Sequence, residues 1–287
     1  MRNTDKNQGD MVRSLPMYKF SIILTFLSLL GCSSYGLANP EKVLYEELTP
    51  KEFRERISAA PIAYLPLGTI EWHGEHLPLG SDGLQSKHFF ESLAKEAGGI
   101  VLPMLFLGPD GHEIHEGFDY YGMDCGNFVE GEQYQYPRQQ LAGSAYWVPD
   151  STFGVIVEAT LLQLKRAGFK IVVMHGHGPS TLYTLKHFDE WEEKYGMRFF
   201  NCWGDQDEEG MGIMVDHAAM NETSLVMAMR PELVQMENLP TDLNQWPLGI
   251  GGKDPRIHAS KALGEEIVQT QLKRMTGLLL QTLDEIQ

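Results

Sequence analysis

The sequence predicts an α/β fold, a mainly parallel sheet with helices on both faces. Three observations predict it. Short apolar runs over 62–67, 100–105, 169–174 and 197–202 alternate with stretches of helical spacing. Two of those runs end in segments rich in glycine and histidine, 68–82 and 175–179. Hydrophobic residues make up 43% of the 287 residues, enough for a sizeable core in one large domain or two small ones. Ligands of such sheets gather at the carboxyl ends of strands. Both segments therefore belong on one edge of one sheet.

The elements follow in order. Thr49-Pro50-Lys51-Glu52 opens a helix: threonine caps it, proline fits its first position and glutamate meets its dipole. The strand 62–67 comes next, then the loop 68–82. Leu84, His88, Leu93 and Ala97 stand at helical spacing, and Gly98-Gly99 stops that helix. A strand is expected over 100–105. The stretch 108–147 is rich in Gly, Tyr, Gln and Pro with little periodicity, and is read as irregular. Asp150 or Ser151 caps a helix to about Ala167, ended by Gly168. The strand 169–174, a helix over 182–195 and the strand 197–202 complete the alternation. A helix follows the segment 216–224 as far as Arg230-Pro231, and 261–286 is a final helix with Leu263, Ile267, Leu272 and Leu279 as its apolar stripe.

The N-terminus is read as an export signal. Lys19 precedes an apolar run over 20–30, too short to span a membrane as a helix, and Leu29-Leu30-Gly31-Cys32 follows. That ending resembles a bacterial lipobox. Residues 1–32 are then a lipoprotein signal with Cys32 kept and lipidated, and 33–43 a tether. Cleavage after Ala38 as an ordinary signal peptide is the alternative. Ser33 supplies no inner-membrane retention signal, so the expected place is the periplasmic face of the outer membrane, held by lipid alone. Met11 and Met17 are alternative starts. Cys125 and Cys202 are the other two cysteines, an exported pair able to form a disulfide. The net charge of −16 comes with no basic stripe, which excludes a nucleic-acid binder.

The loop 68–82 carries the chemistry. Glu71, His73 and Asp82 are two hard oxygen donors and an imidazole, a set suited to a divalent ion of the Zn, Mn or Fe type. Glu71 and His73 are two apart, so extended backbone points both to one side. Gly74, Pro78 and Gly80 let the loop bend Asp82 back to them. A carboxylate has two oxygens, so Asp82 is able to bridge two ions. His177, at the end of the other apolar run, completes a four-ligand set.

Gly68, Glu71, His73, Gly74, His76, Leu77, Pro78 and Asp82 together resemble the creatininase (creatinine amidohydrolase) family, whose segment reads G-x-x-E-x-H-G-x-H-L-P-x-x-x-D. The likeness runs in pieces from Leu44 to the last helix, so 44–287 is expected to be one creatininase-like domain. By the resemblance, Glu71, His73 and Asp82 are metal ligands, with the aspartate bridging two ions. Asp216-His217-Ala218-Ala219-Met220-Asn221-Glu222-Thr223-Ser224 resembles the family's H-[AG]-G-x-x-E-T-S, which places His217 as the group that protonates a leaving nitrogen. His115-Glu116-Gly117-Phe118 resembles its H-x-x-F, which makes His115 a substrate-binding residue. The Pro-Gly-Thr turn that should follow is missing, and an insertion near 119–145 intervenes before the pattern resumes at Trp147. It reads as a lid, a subunit contact or a plain surface loop.

The resemblance implies a metal-dependent hydrolase of a small amide or cyclic amide C–N bond, working with metal-activated water, and a homo-oligomer. Zinc is the first choice of ion, with manganese or iron as alternatives, one or two per chain. Two departures weigh against the second ion. Pro179 and Met220 stand where the family places its other metal-binding glutamate, and neither replaces a carboxylate. Glu222 is the nearest surviving carboxylate, in a position read as structural. The alternative is a degenerate family member that binds metal or a small ligand without turnover. A phosphatase is disfavoured, because no basic residue stands near the motifs to clamp a phosphate.

Overall fold

A computed structural model describes residues 41–126, 136–204 and 210–286. The predicted signal segment, Cys32, the tether as far as residue 40 and the middle of the insertion lie outside the described residues. Strand β1 is Ile62–Leu67, β2 is Ile100–Val101, β5 is Ile171–Gly176 and β6 is Arg198–Phe200. They form one parallel sheet in the order β2-β1-β5-β6. β1 and β5 are buried throughout. That burial accounts for their unbroken apolar runs, since a parallel sheet is covered on both faces.

Alternate residues of the strands serve opposite cores. Ile62, Tyr64, Ile171 and Val173 pack with Phe89, Phe90 and Leu93 of α2 (Ser81–Glu96), Leu225 of α5 (Met220–Met229) and Leu272, Met275 and Leu279 of α7 (Lys261–Ile286). Ala63, Leu65, Val172 and Met174 pack with Phe153, Val157 and Leu161 of α3 (Asp150–Ala167) and Phe188 and Trp191 of α4 (Gly178–Tyr195). Phe53 and Ile57 of α1 (Pro50–Ala59) join that second layer. Helix α1 opens with the capping box that Thr49 and Glu52 promise. A short helix, α6, spans Pro255–His258.

Several boundaries differ from the sequence expectation; β5 starts and ends later than 169–174, and β6 is shorter than 197–202. β2 ends at Val101, because Pro103 has no N–H for the ladder; Leu105 only bridges to Leu67. α2 begins at Ser81, so Asp82 lies in a helical first turn and not in the loop. α4 begins at Gly178, directly after His177. α3 is preceded by Pro149 as its cap residue, with no side-chain cap bond from Asp150 or Ser151. The stretch read as irregular holds a hairpin, β3 (His112–His115) with β4 (Phe118–Tyr121). Its two-residue turn is Glu116-Gly117, with φ of 51° and 84°, the conformation that suits a tight hairpin.

Cys125 and Cys202, whose pairing the sequence left open, are both free thiols. Cys202 is fully buried among the α7 layer, and burial pushes its thiol up. No helix among the described residues is long and apolar enough to cross a membrane.

Candidate metal centre

The two strand ends meet because Gly176 lets them. Its φ is +149°, and a Cβ there would fall 1.7 Å from the Leu67 carbonyl oxygen. Only glycine allows β5 to leave the sheet this close to β1. His177 follows at once, beside the loop that leaves β1. Asp82 is raised to the same place by the first turn of α2.

Asp82 is the centre of the cluster. Its Oδ1 lies 3.1 Å from His73 Nε2 and its Oδ2 lies 3.0 Å from His177 Nδ1. Glu71 Oε2 is 3.4 Å from His177 Nδ1. Glu222 Oε2 is 3.6 Å from His73 Nε2. Two ligand groups share Asp82, Glu71 with Asp82 and His177, and His73 with Asp82 and Glu222; a third joins Glu71, His73 and His217, and in each group the donor atoms lie within 4.8 Å of one another. All six residues are buried.

Each imidazole is oriented by its other nitrogen. His73 Nδ1–H donates to the Glu71 carbonyl at 3.1 Å, which turns Nε2 to Asp82, whose Oδ1 accepts from it. His177 Nε2–H donates to the Pro109 carbonyl at 3.1 Å, and Nδ1–H, turned to Asp82 and Glu71, donates to Asp82 Oδ2 at 3.0 Å. Backbone carbonyls that orient a histidine in this way are the usual support of a metal ligand. The donor set fits a divalent ion: imidazole nitrogen and carboxylate oxygen, converging in a buried place.

The electrostatics draw positive charge to the same points. Burial alone would discharge His73, yet Asp82, then Glu222 and Glu71, raise it to about 10. Burial opposes the charge on His177 too, and Glu71 and Asp82 overcome it, so His177 is also raised. Burial works against Glu71, but His177 holds it down to about 2. Asp82 is likewise lowered against burial by His73 and His177. Burial pushes Glu222 up.

His217 stands over this cluster. Its ring lies 4.4 Å from that of His73, and its Nε2–H donates to the Trp72 carbonyl at 2.9 Å. Nδ1 is then the lone-pair nitrogen. Burial, then the charge of His73, lowers it to about 4, so His217 is neutral at pH 7.

Glu222 reaches the site because α5 is pinned to the motif loop. His76 Nε2–H donates to Thr223 Oγ1 at 2.9 Å, linking the first motif to the third. Asp216 accepts the N–H groups of Asn221 and Glu222 at 2.7 and 3.1 Å. Ala218, with φ of +52°, turns its N–H onto Glu222 Oε2 at 2.7 Å. A non-glycine residue in that region is strained and persists only where its surroundings hold it.

A cavity of about 940 Å³ opens beside the cluster, lined by Glu71, Asp82, His177, His217 and Glu222 among others. No lysine or arginine lines it among the described residues. His115 does not line it either. The hairpin turns His115 outward, with its side chain 54% exposed, and brings His112 to the wall in its place. His115 sits one residue before the hairpin turn, where the pleat points it away from the site. Asp110, which no motif marks, also lines the cavity. Burial, then the charge of Glu71, pushes Asp110 up to about 8.

The family model for creatininase, creatinine amidohydrolase, matches residues 46–123 and 133–279, the greater part of the chain. The chain belongs to the creatininase family. A creatinine amidohydrolase of Pseudomonas putida is 24% identical over 230 residues, which cover 69% of this chain and 76% of the relative. A creatininase crystal structure matches with a TM-score of 0.64 at 21% identity, covering 84% of this chain and 97% of that one. A mutant creatininase of Zn–Zn type matches with a TM-score of 0.64 at 19% identity, covering 83% and 97%, and a manganese form of creatininase is similar to the same extent. These structural likenesses show the fold. The family match breaks between 123 and 133, inside the insertion. The described flank of the insertion packs on the motif loop. Ala145 N–H donates to the Ile70 carbonyl at 2.7 Å, Ser144 Oγ accepts the Trp72 N–H at 3.0 Å, and Leu141 and Met123 pack on Trp72.

Proposed function

We propose that this member of the creatininase family is a metal-dependent hydrolase of a small amide or cyclic amide C–N bond. Glu71, Asp82 and His177 would hold one divalent ion, and His73, Asp82 and Glu222 would hold a second. Zinc suits the imidazole and carboxylate donors best, with manganese or iron as alternatives. A divalent ion supplies a water activated near neutral pH and polarises the carbonyl to be attacked.

The residues do the rest. Asp82 keeps both halves of the centre at one separation, because each of its oxygens faces one half. The backbone carbonyls of Glu71 and Pro109 keep the other imidazole nitrogens turned inward. His217, neutral and fixed by Trp72, presents Nδ1 on the cavity side as a proton carrier: it takes the proton of the attacking water and hands it to the leaving nitrogen. The wall, which holds no lysine or arginine among the described residues, favours a neutral or N–H-rich substrate over a phosphate or a carboxylate.

The observation that carries this reading is Asp82, with its two oxygens divided between two imidazoles that are each anchored from behind. Glu222 answers the missing glutamates at 179 and 220, which removes the motive for a degenerate, non-catalytic member. The test is hydrolysis of a panel of cyclic amides, creatinine included, by the full chain with and without added zinc or manganese. Metal-dependent release of product that Asp82→Ala abolishes supports the reading. Metal binding without turnover of any amide, cyclic or open, rejects it. For the N-terminus we propose export and lipid anchoring through Cys32, tested by membrane fractionation of Cys32→Ala.

A further inference from the structure

Asp110 belongs to no ligand group, and yet it is held against both His177 and Glu71. It lies in the segment between β2 and β3, on the far side of His177 from Asp82. Its Oδ2 is 3.6 Å from His177 Nε2, the nitrogen that donates to the Pro109 carbonyl at 3.1 Å. The carbonyl takes the hydrogen bond, and Asp110 Oδ2 stands beside the same N–H. On its other side the Asp110 carboxyl meets that of Glu71.

The backbone around Asp110 is fixed from several directions. Its own Oδ1 accepts the Gly111 N–H at 2.7 Å, which turns Oδ2 toward His177. Its carbonyl accepts Trp147 Nε1–H at 3.2 Å, and the Trp147 ring lies 4.5 Å from that of His112. The roof over the two carboxyls is Gly122, at the end of the hairpin. A Cβ on Gly122 would fall 2.3 Å from Asp110 Oδ2 and 2.8 Å from Glu71 Oε1, at a φ of +57°. The glycine is what admits both carboxyls to one place.

We propose that Asp110 is a positioning residue of the metal centre: from outside the ligand set it holds His177 and Glu71 in place. This rests on the two-ion reading above. Its action is expected on the half made by Glu71, Asp82 and His177, since among the described residues no hydrogen bond or ion pair joins it to His73 or Glu222.

The experiment is zinc titration of the full chain against a chromogenic chelator, which reads affinity and not activity. Glu222→Gln leaves only the His177 half, and His177→Ala leaves only the Glu222 half. Asp110→Ala and the isosteric Asp110→Asn are placed in each background, with circular dichroism of the metal-free proteins to check folding. Loss of an outer partner of a metal ligand costs about 10–100-fold in affinity. That loss is expected in the Glu222→Gln background, with a change of less than about 2-fold in the His177→Ala background. Asp110→Asn carries the test if Asp110→Ala does not fold. Unchanged affinity in the first background, or an equal loss in both, overturns the proposal. Failure of the otherwise wild-type chain to bind zinc at all overturns the metal-centre reading itself, and this inference with it.

Discussion

The two halves of the centre are built differently. Glu71, Asp82 and His177 all come from the ends of two adjacent strands and the helical turn that follows one of them. The other half takes His73 from the same loop but draws Glu222 from α5, a helix in the outer layer on one face of the sheet. The first half is fixed by the sheet. The second depends on a helix held by side-chain bonds, His76 to Thr223 and Asp216 to the first turn of α5. A strand-end ligand is set by local chain geometry, whereas a helix-borne ligand is set by packing. On the two-ion reading proposed above, Glu222 stands in the second half for the glutamates absent at 179 and 220.

The largest effect should come where the halves join. Asp82→Ala removes a ligand from both, so elemental analysis should find neither ion and amide turnover should fall by at least ~100-fold. Retention of one tight ion in that variant would show that the halves do not share Asp82. His177→Ala should come next, leaving one ion per chain in the half made by His73 and Glu222. Loss of both ions there would mean that the second half has no independent affinity.

A smaller, pH-dependent effect separates the ion from the protons that stand in for it. In chelator-treated protein His73 is raised from its ordinary 6.5 to about 10, so its pairing with Asp82 stabilises the fold fully below 6.5 and is lost as pH rises through 10. Glu71 is lowered from 4.5 to about 2, so its contribution is present above 4.5 and is lost as pH falls through 2. The melting temperature of the stripped protein should therefore fall between pH 6.5 and 10. Zinc-loaded protein should hold its melting temperature over most of that range, because an ion replaces the imidazole proton. Parallel pH curves for the two forms would contradict this. The smallest effect belongs to His115→Ala, which is expected to change stability by less than about 0.5 kcal/mol and to leave kcat/KM unaltered, since the residue faces solvent.

Most of the fold and half of the centre are legible in the sequence. β1 and β5 read as apolar runs because they are buried on both faces, and α7 reads from its stripe because its other side meets water. Glu71, His73 and His177 follow from strand-end spacing. What sequence does not give is whatever depends on packing between layers. Glu222 looks structural beside Met220, because only the docking of α5 aims its carboxylate at His73. Asp110 stands in no motif and reaches the site only through the fold of 108–111 and the absence of a side chain at Gly122. The hairpin hides behind a Glu-Gly turn, a weaker signal than Asn-Gly, and its pleat sends His115 outward while His112 takes the wall.

Metal stoichiometry of Glu222→Gln against the wild-type chain tests the central claim most directly. Both proteins would be purified without chelator, saturated with zinc, freed of loose ion and measured by elemental analysis, with circular dichroism to verify the fold. Two tightly held ions per wild-type chain and one per Glu222→Gln chain is the predicted result. Equal stoichiometry in the two proteins would contradict it, because Glu222 would then hold no ion and the carboxylate missing at 179 and 220 would have no replacement.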